Sequence, residues 1–332
     1  MNTSAHLASV HEEPQPAKPT LLLTRCPACP HVMGLLDPSE RGAHACGLCG
    51  FQLRNRAGVW LALAPERQRY FQQFVREYEH VRAREGRGSS SPDYYLSLPY
   101  ADLSGRNSWQ WSIRAISFRY LLRKILPAIE SRFARPLDIL DIGAGNGWLS
   151  YRLAQRGHLP VAVDLLDNGA DGLGAARHYY SSLGWLFPCF QAEMDRLPFA
   201  DAQFDVAIFN AALHYSEDYC ATLREAVRCL RPGGHVLIID SPFYRREESG
   251  YRMVEERKQQ FARAFGFASD SIGSREFLTA AALAEVSRSL GLRWRVRKPW
   301  YGWKWAMRPV KARLLRRREP SKFYIFWAEV GA

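Results

Sequence analysis

Two groups of residues in this 332-residue chain have the types and spacing to do chemistry. Cys26-x2-Cys29 and Cys46-x2-Cys49 form two knuckles with sixteen residues between them. Four thiolates so spaced can converge tetrahedrally on one Zn²⁺, and a closed Cys₄ set leaves no open position for catalysis. The second group is Asp141-x-Gly143-x-Gly145-x-Gly147, set between the apolar run from Leu137 to Leu140 and Trp148-Leu149-Ser150. A buried strand, a glycine turn and a helix start present backbone to a nucleotide-like cofactor. A dinucleotide fingerprint would need glycine where Trp148 stands, so that cofactor class is excluded.

The elements around the glycine run supply further acids at strand ends. Val161-Ala162-Val163 leads to Asp164, whose carboxylate can accept hydrogen bonds from two ribose hydroxyls. Leu165 follows as a surface for a base. Gln191 to Asp195 precedes Leu197-Pro198-Phe199, and the strand from Phe204 to Phe209 ends at Asn210. Next come a helix, the turn Pro232-Gly233-Gly234, and a strand from His235 to Asp240. In order and spacing, these five elements resemble the class I S-adenosylmethionine (SAM) dependent methyltransferases, whose first motif is D/E-x-G-x-G-x-G.

That resemblance implies an α/β fold, a doubly wound Rossmann-like sheet of seven strands, closed by an antiparallel strand over Lys322 to Val330. It implies SAM as cofactor. Asp141 would orient the amino-acid part, with Gly143, Gly145 and Gly147 admitting the ligand to the backbone. Glu193 would accept from the adenine amino group with Met194 against the ring, and Asp195 is the rival. Asn210 and Ala211 would touch the cofactor largely through backbone. The region before the first strand would fold over the cofactor as a lid, with Tyr94, Tyr95, Trp111 and Arg114 available to line it. An Arg114 guanidinium can hold a carboxylate bidentately. The ribbon is similar to those placed ahead of methyltransferase domains, as in zinc-containing ribosomal RNA guanine methyltransferases; their last knuckle usually uses His where this chain has Cys49.

The organisation read from the chain is a disordered tail over 1–20, a zinc ribbon over 21–64, a helical connector and lid over 65–130, and a SAM-dependent methyltransferase domain over 131–332. The connector holds a charged helix from Arg67 to Glu85, a Gly/Ser break, and a second helix from about Asn107 to Ile129. The ribbon's sixteen-residue interval suits a short hairpin. Apolar residues make up 47 %, enough for a large core, and no run approaches a membrane span. The N-terminus does not read as a signal peptide, so the expected compartment is the cytoplasm. The net charge of +12 admits anionic partners and selects none. From Lys298 onward, tryptophans alternate with Lys and Arg, a composition that suits a peripheral membrane contact, a nucleic-acid track or a solvated basic face.

Methyl transfer from a sulfonium is an in-line displacement, so the protein mainly supplies alignment. A base is needed only when the acceptor must lose a proton. His214 leads the candidates because imidazole titrates near neutrality, and Tyr244, Tyr215 and Asp240 follow. Tyr244 and Tyr251 lie in a partly apolar insertion after Asp240. The expected reaction is methylation of a small or amphipathic metabolite. The alternatives are an RNA base methyltransferase and a non-catalytic SAM-binding interaction protein.

Overall fold

The computed structural model describes residues 21–331; the tail expected over 1–20 lies outside the described residues. The ribbon contributes β1 (Leu22–Arg25), β2 (Val32–Leu36), β3 (Ala43–Ala45), β4 (Gln52–Arg56) and β5 (Val59–Leu61). The connector forms α1 (Pro65–Arg84), α2 (Pro92–Ser97), α3 (Ser108–Tyr120) and α4 (Leu126–Glu130). A π-helical turn at Leu121–Ile125 joins α3 to α4, directly before Pro127, which has no N–H to continue an α ladder. The remainder alternates β6 (Asp138–Ile142), α5 (Trp148–Ala154), β7 (Leu159–Asp164), α6 (Tyr180–Leu183), β8 (Cys189–Gln191) and β9 (Phe204–Asn210). It continues with α7 (Tyr219–Cys229), β10 (Leu230–Ile239), β11 (Pro242–Phe243), α8 (Glu247–Phe265), α9 (Ala280–Leu290) and β12 (Arg295–Arg297). The chain ends in α10 (Trp303–Ala306), α11 (Arg308–Leu314), β13 (Lys322–Phe323) and β14 (Ile325–Glu329).

The seven expected strands are present in the order β12-β14-β10-β9-β6-β7-β8. β6 pairs in parallel with both β7 and β9, and β14 runs antiparallel to β10 and β12. Apolar residues run through β9 and the C-terminal half of β10 because helices cover both faces. One face packs on α7 and α9 through Leu223, Leu283 and Val286; the other packs on α3 to α5 through Phe118, Ile125 and Leu149. Local signals start and stop these helices. Asp218 caps α7 by accepting from the N–H groups of Cys220 and Ala221, Thr279 caps α9, and left-handed Gly266 and Gly291 end α8 and α9.

The sheet also continues into the ribbon. β5 pairs in parallel with β8, and β4 and β3 follow, giving ten strands in all. The hairpin expected between the knuckles does not form: β2 pairs with β1, and β3 pairs with β4. β5 docks on the open strand edge of β8, β4 pairs with β5 and β3 with β4, so β3 is taken up away from β2. No helix among the described residues is long and apolar enough to cross a membrane.

Candidate cofactor cleft and cysteine cluster

Three neighbouring strands, β7, β6 and β9, end at Asp164, Asp141-Ile142 and Asn210 on the same side of the sheet. Strand order reverses between β6 and β9, and ligands bind outside the strand ends at such a point. A cleft opens there, outside the strand ends. The glycine loop forms its floor. Gly143 has φ +75°, and a Cβ on it would lie 2.3 Å from the Ala212 Cβ. Gly147 has φ +77°, and a Cβ there would meet the Phe187 ring at 3.0 Å. These two glycines therefore let the protein close around its own loop. The Gly145 N–H donates to Asp164 Oδ2 at 2.7 Å, and the Leu166 N–H donates to Oδ1 at 2.9 Å. Each oxygen keeps acceptor capacity for a ligand hydroxyl. Burial raises the Asp164 pKa despite those amides.

Asp141 is fully buried, and the Ser150 hydroxyl donates to its Oδ2 at 2.8 Å, while Oδ1 has no protein partner. Burial pushes its carboxyl up to about 7. Arg114, from α3, lines the same cleft with its guanidinium 4.7 Å from the Trp111 ring centroid. Among the described residues no carboxylate pairs with it, and burial followed by Arg87 and Arg82 draws its pKa down to about 10. An unmatched cation and an unsatisfied acid in one cleft complement a ligand carrying a carboxylate and an ammonium. Leu165, Leu166, Ala192 and Met194 give an apolar wall suited to a base. Trp148 stands perpendicular to Trp111 at 5.9 Å, so the residue that excluded a dinucleotide serves as packing between the loop and α3.

Of the residues singled out in the sequence, Asp141, Gly143, Gly145, Asp164, Leu165, Met194, Asn210, Ala211, Arg114, Trp111 and Tyr215 line the cleft. Gly147 lies just beyond the lining. Glu193 is also outside it: its Oε2 accepts from Arg67 Nε at 2.8 Å and Nη2 at 2.6 Å. α1 delivers that arginine, and its charge draws the carboxylate off the cavity. His214 sits behind Tyr215, ring centroids 4.3 Å apart, with Nδ1 3.4 Å from Ser241 Oγ. Burial, then Arg114 and Arg257, push its pKa down to about 3. Tyr244 lies elsewhere, its hydroxyl accepting from Arg318 at 3.1 Å in an arginine-lined groove. Tyr94 and Tyr95 are core residues, and the Tyr95 hydroxyl donates to the Ala170 carbonyl at 2.6 Å. Asp240, at the end of β10, accepts from Ser117 and has an unpartnered Oδ2; burial pushes it up to about 6. Sequence reasoning did not assign Phe74, Tyr78, Arg82, Asn146 or Asp171 to the cleft, yet all line it, and Arg82 pairs with Asp171 across it. The apolar seam of α1 was the available signal for the first two.

In the ribbon, the four Sγ atoms of Cys26, Cys29, Cys46 and Cys49 lie within 4.8 Å of one another. Cys26 to Cys49 is 3.5 Å and Cys29 to Cys46 is 3.6 Å. A tetrahedron with Zn–S bonds of about 2.3 Å puts its sulfurs about 3.8 Å apart, so the four residues fit that ion.

Residues 140–238 match the family model described as a methyltransferase domain. A malonyl-[acyl-carrier protein] O-methyltransferase of Hahella chejuensis is 30 % identical over 178 residues, 52 % of this chain and 56 % of that protein. The ubiquinone/menaquinone biosynthesis C-methyltransferase UbiE of Neisseria meningitidis is 32 % identical over 114 residues, 34 % of this chain and 46 % of that one. The chain spans about half the length of the curated relatives it matches. Among solved structures, the 1,6-didemethyltoxoflavin-N1-methyltransferase of Burkholderia thailandensis, with its substrate and S-adenosylhomocysteine bound, has a TM-score of 0.45 at 18 % identity, covering 81 % of this chain and 92 % of that one. The chain carries a methyltransferase domain.

Proposed function

We propose that this chain binds S-adenosylmethionine in the cleft and transfers its methyl group to a small or amphipathic acceptor. The observation that carries the reading is the buried Asp141 Oδ1, which has no protein partner, in one cleft with Asp164 and with Arg114, whose guanidinium feels the Asp240 carboxylate but forms no ion pair among the described residues. In this reading Asp164 accepts from the ribose hydroxyls, Leu165 and Met194 hold the adenine, Arg114 takes the carboxylate, and Asp141 takes the ammonium. The bound cofactor supplies an electrophilic methyl on a sulfonium. Tyr78, Trp111 and Tyr215 give the cleft an aromatic wall, with Arg82 over the Tyr78 ring and Arg114 over the Trp111 ring. His214 stays an uncharged imidazole at neutral pH and serves as a hydrogen-bonding wall behind Tyr215. Asp240, whose carboxyl burial raises to about 6, lies outside the cleft lining and accepts from Ser117, so no base is assigned to the transfer.

One relative's name specifies an acid on a carrier and the other's quinone biosynthesis, which supports an acceptor of this class. The cysteine cluster is read as a closed, structural Zn²⁺ site. Incubation with labelled SAM and separate metabolite, lipid and RNA fractions tests the acceptor: label is expected in a metabolite or lipid fraction, and label in RNA alone overturns the choice. Metal analysis tests the ribbon. About one zinc per chain is expected, and protein folded without any metal defeats the assignment.

A further inference from the structure

We infer that α10 and α11 form a docking surface for an anionic membrane. Hydrogen bonds from Met307 N–H to Trp303 O and from Lys311 N–H to Met307 O, each 3.0 Å, make the two helices one nearly continuous turn sequence. At 100° per residue, Trp303, Met307, Val310 and Leu314 fall within an arc of about 60°. That stripe faces solvent. Among the described residues Trp303 is 76 % exposed, Met307 51 %, Val310 48 % and Leu314 79 %. Trp300, 60 % exposed, extends it and meets Trp303 edge to face at 5.2 Å.

The opposite side of the segment is anchored. Trp305 stacks on Phe323 at 5.2 Å and lies against Tyr301, whose hydroxyl hydrogen-bonds Ser117 at 2.8 Å. The exposed stripe is thus held outward by the partly buried Trp305 on the opposite side, rather than being a loosely placed end. Contiguous exposed apolar side chains mark interaction sites.

The charges identify the partner. From Lys298 to Arg318 the chain has eight Lys and Arg and no Asp or Glu. On the helical wheel Lys304 and Lys311 flank the stripe on one side and Arg313 on the other. Tryptophan and aliphatic residues on one face, with cations along its borders, is how a helix lies in a bilayer interface beside anionic headgroups. A nucleic acid would use the cations, but it would leave Met307, Val310 and Leu314 in water. Trp109, 6.0 Å from Trp305, connects this surface to α3, which carries cleft residues Trp111 and Arg114.

The test is co-sedimentation of the full chain with vesicles, comparing phosphatidylcholine alone with phosphatidylcholine containing phosphatidylglycerol. Binding to the anionic vesicles is expected to be about tenfold tighter or more, weakened by salt. The exposed double substitution W303S/L314S is expected to lower it by about tenfold while thermal unfolding and SAM affinity stay unchanged. Failure to bind either vesicle overturns the inference. So does binding that follows charge alone, undiminished in W303S/L314S and displaced by RNA, because that identifies a polyanion track. The readout needs no methyl acceptor, so its failure is distinct from failure of the proposed activity.

Discussion

The two ends of strands β6 and β9 both carry buried aspartates, and they treat them in opposite ways. At the amino end, Asp205 accepts from Arg135 at 2.8 and 2.9 Å, from Arg231 at 2.8 Å, and from the Asp138 N–H at 2.8 Å. Arg231 also binds Asp138 at 2.8 Å. At the carboxyl end, three residues along β6, Asp141 has one serine bond and an oxygen with no partner. A buried charge is tolerated when its partners are complete, and incomplete pairing is costly unless a ligand completes it. The amino end is therefore structure, and in the proposed function the carboxyl end is where a ligand completes the pairing.

Substitutions at four positions can break or sharpen that contrast. Asp205→Ala should cost the most, about 3 kcal/mol of unfolding free energy by chemical denaturation, because it removes the fully buried acid that binds both arginines and the Asp138 N–H and leaves the arginines only Asp138. SAM affinity of the folded protein should not change; a parallel loss of affinity would erase the distinction between the ends. Asp164→Ala should act the other way, weakening SAM binding about a hundredfold, or about 2.7 kcal/mol, by calorimetry. Since Asp164 also holds two backbone amides, Asp164→Asn is the milder companion, and full affinity in both variants refutes the ribose assignment.

Asp141→Asn tests the open end by pH. The folded carboxyl is raised to about 7 from an ordinary value near 3.9, so the folded protein binds more protons than the unfolded chain between those values. Stability without ligand should fall as pH rises through that window. Asparagine should flatten the fall, recovering about 2 kcal/mol above pH 7, and should weaken SAM binding. An unaltered stability profile would show that Asp141 is not held at that cost. Smallest of the four, Arg135→Ala should cost about 1 kcal/mol, since Arg231 still pairs with Asp205 and Arg135 is itself 44 % exposed.

Much of the contrast could be read from the sequence. Asp141 and Asp164 announced themselves because each ends an apolar run and precedes glycine or a turn, a local pattern. The cysteines were legible for the same reason, as two short knuckles. What stayed hidden depended on tertiary approach. The seam of Phe74 and Tyr78 predicted that α1 would bury a face, but periodicity does not say against what. Asp171 sits in a loop with no pattern of its own, and Arg82 from α1 and Asn146 from the glycine loop give it its role. Glu193 shows the reverse case, a residue well placed along the chain and then drawn aside by Arg67 from a distant helix. Tyr244 follows the strand end by a few residues, yet β11 carries it to the Arg318 side of the molecule.

The attachment of the ribbon to β8 bears on solubility as well as on metal binding. β8 on its own would present a raw strand edge able to recruit another chain. β5 covers that edge, and the exposed margin passes outward to β3, only three residues long. The opposite margin, β12, is equally short and carries Arg295 and Arg297. Both borders of a ten-stranded sheet are thus blunted. Loss of the ribbon fold would uncover β8 as an edge able to pair with another chain.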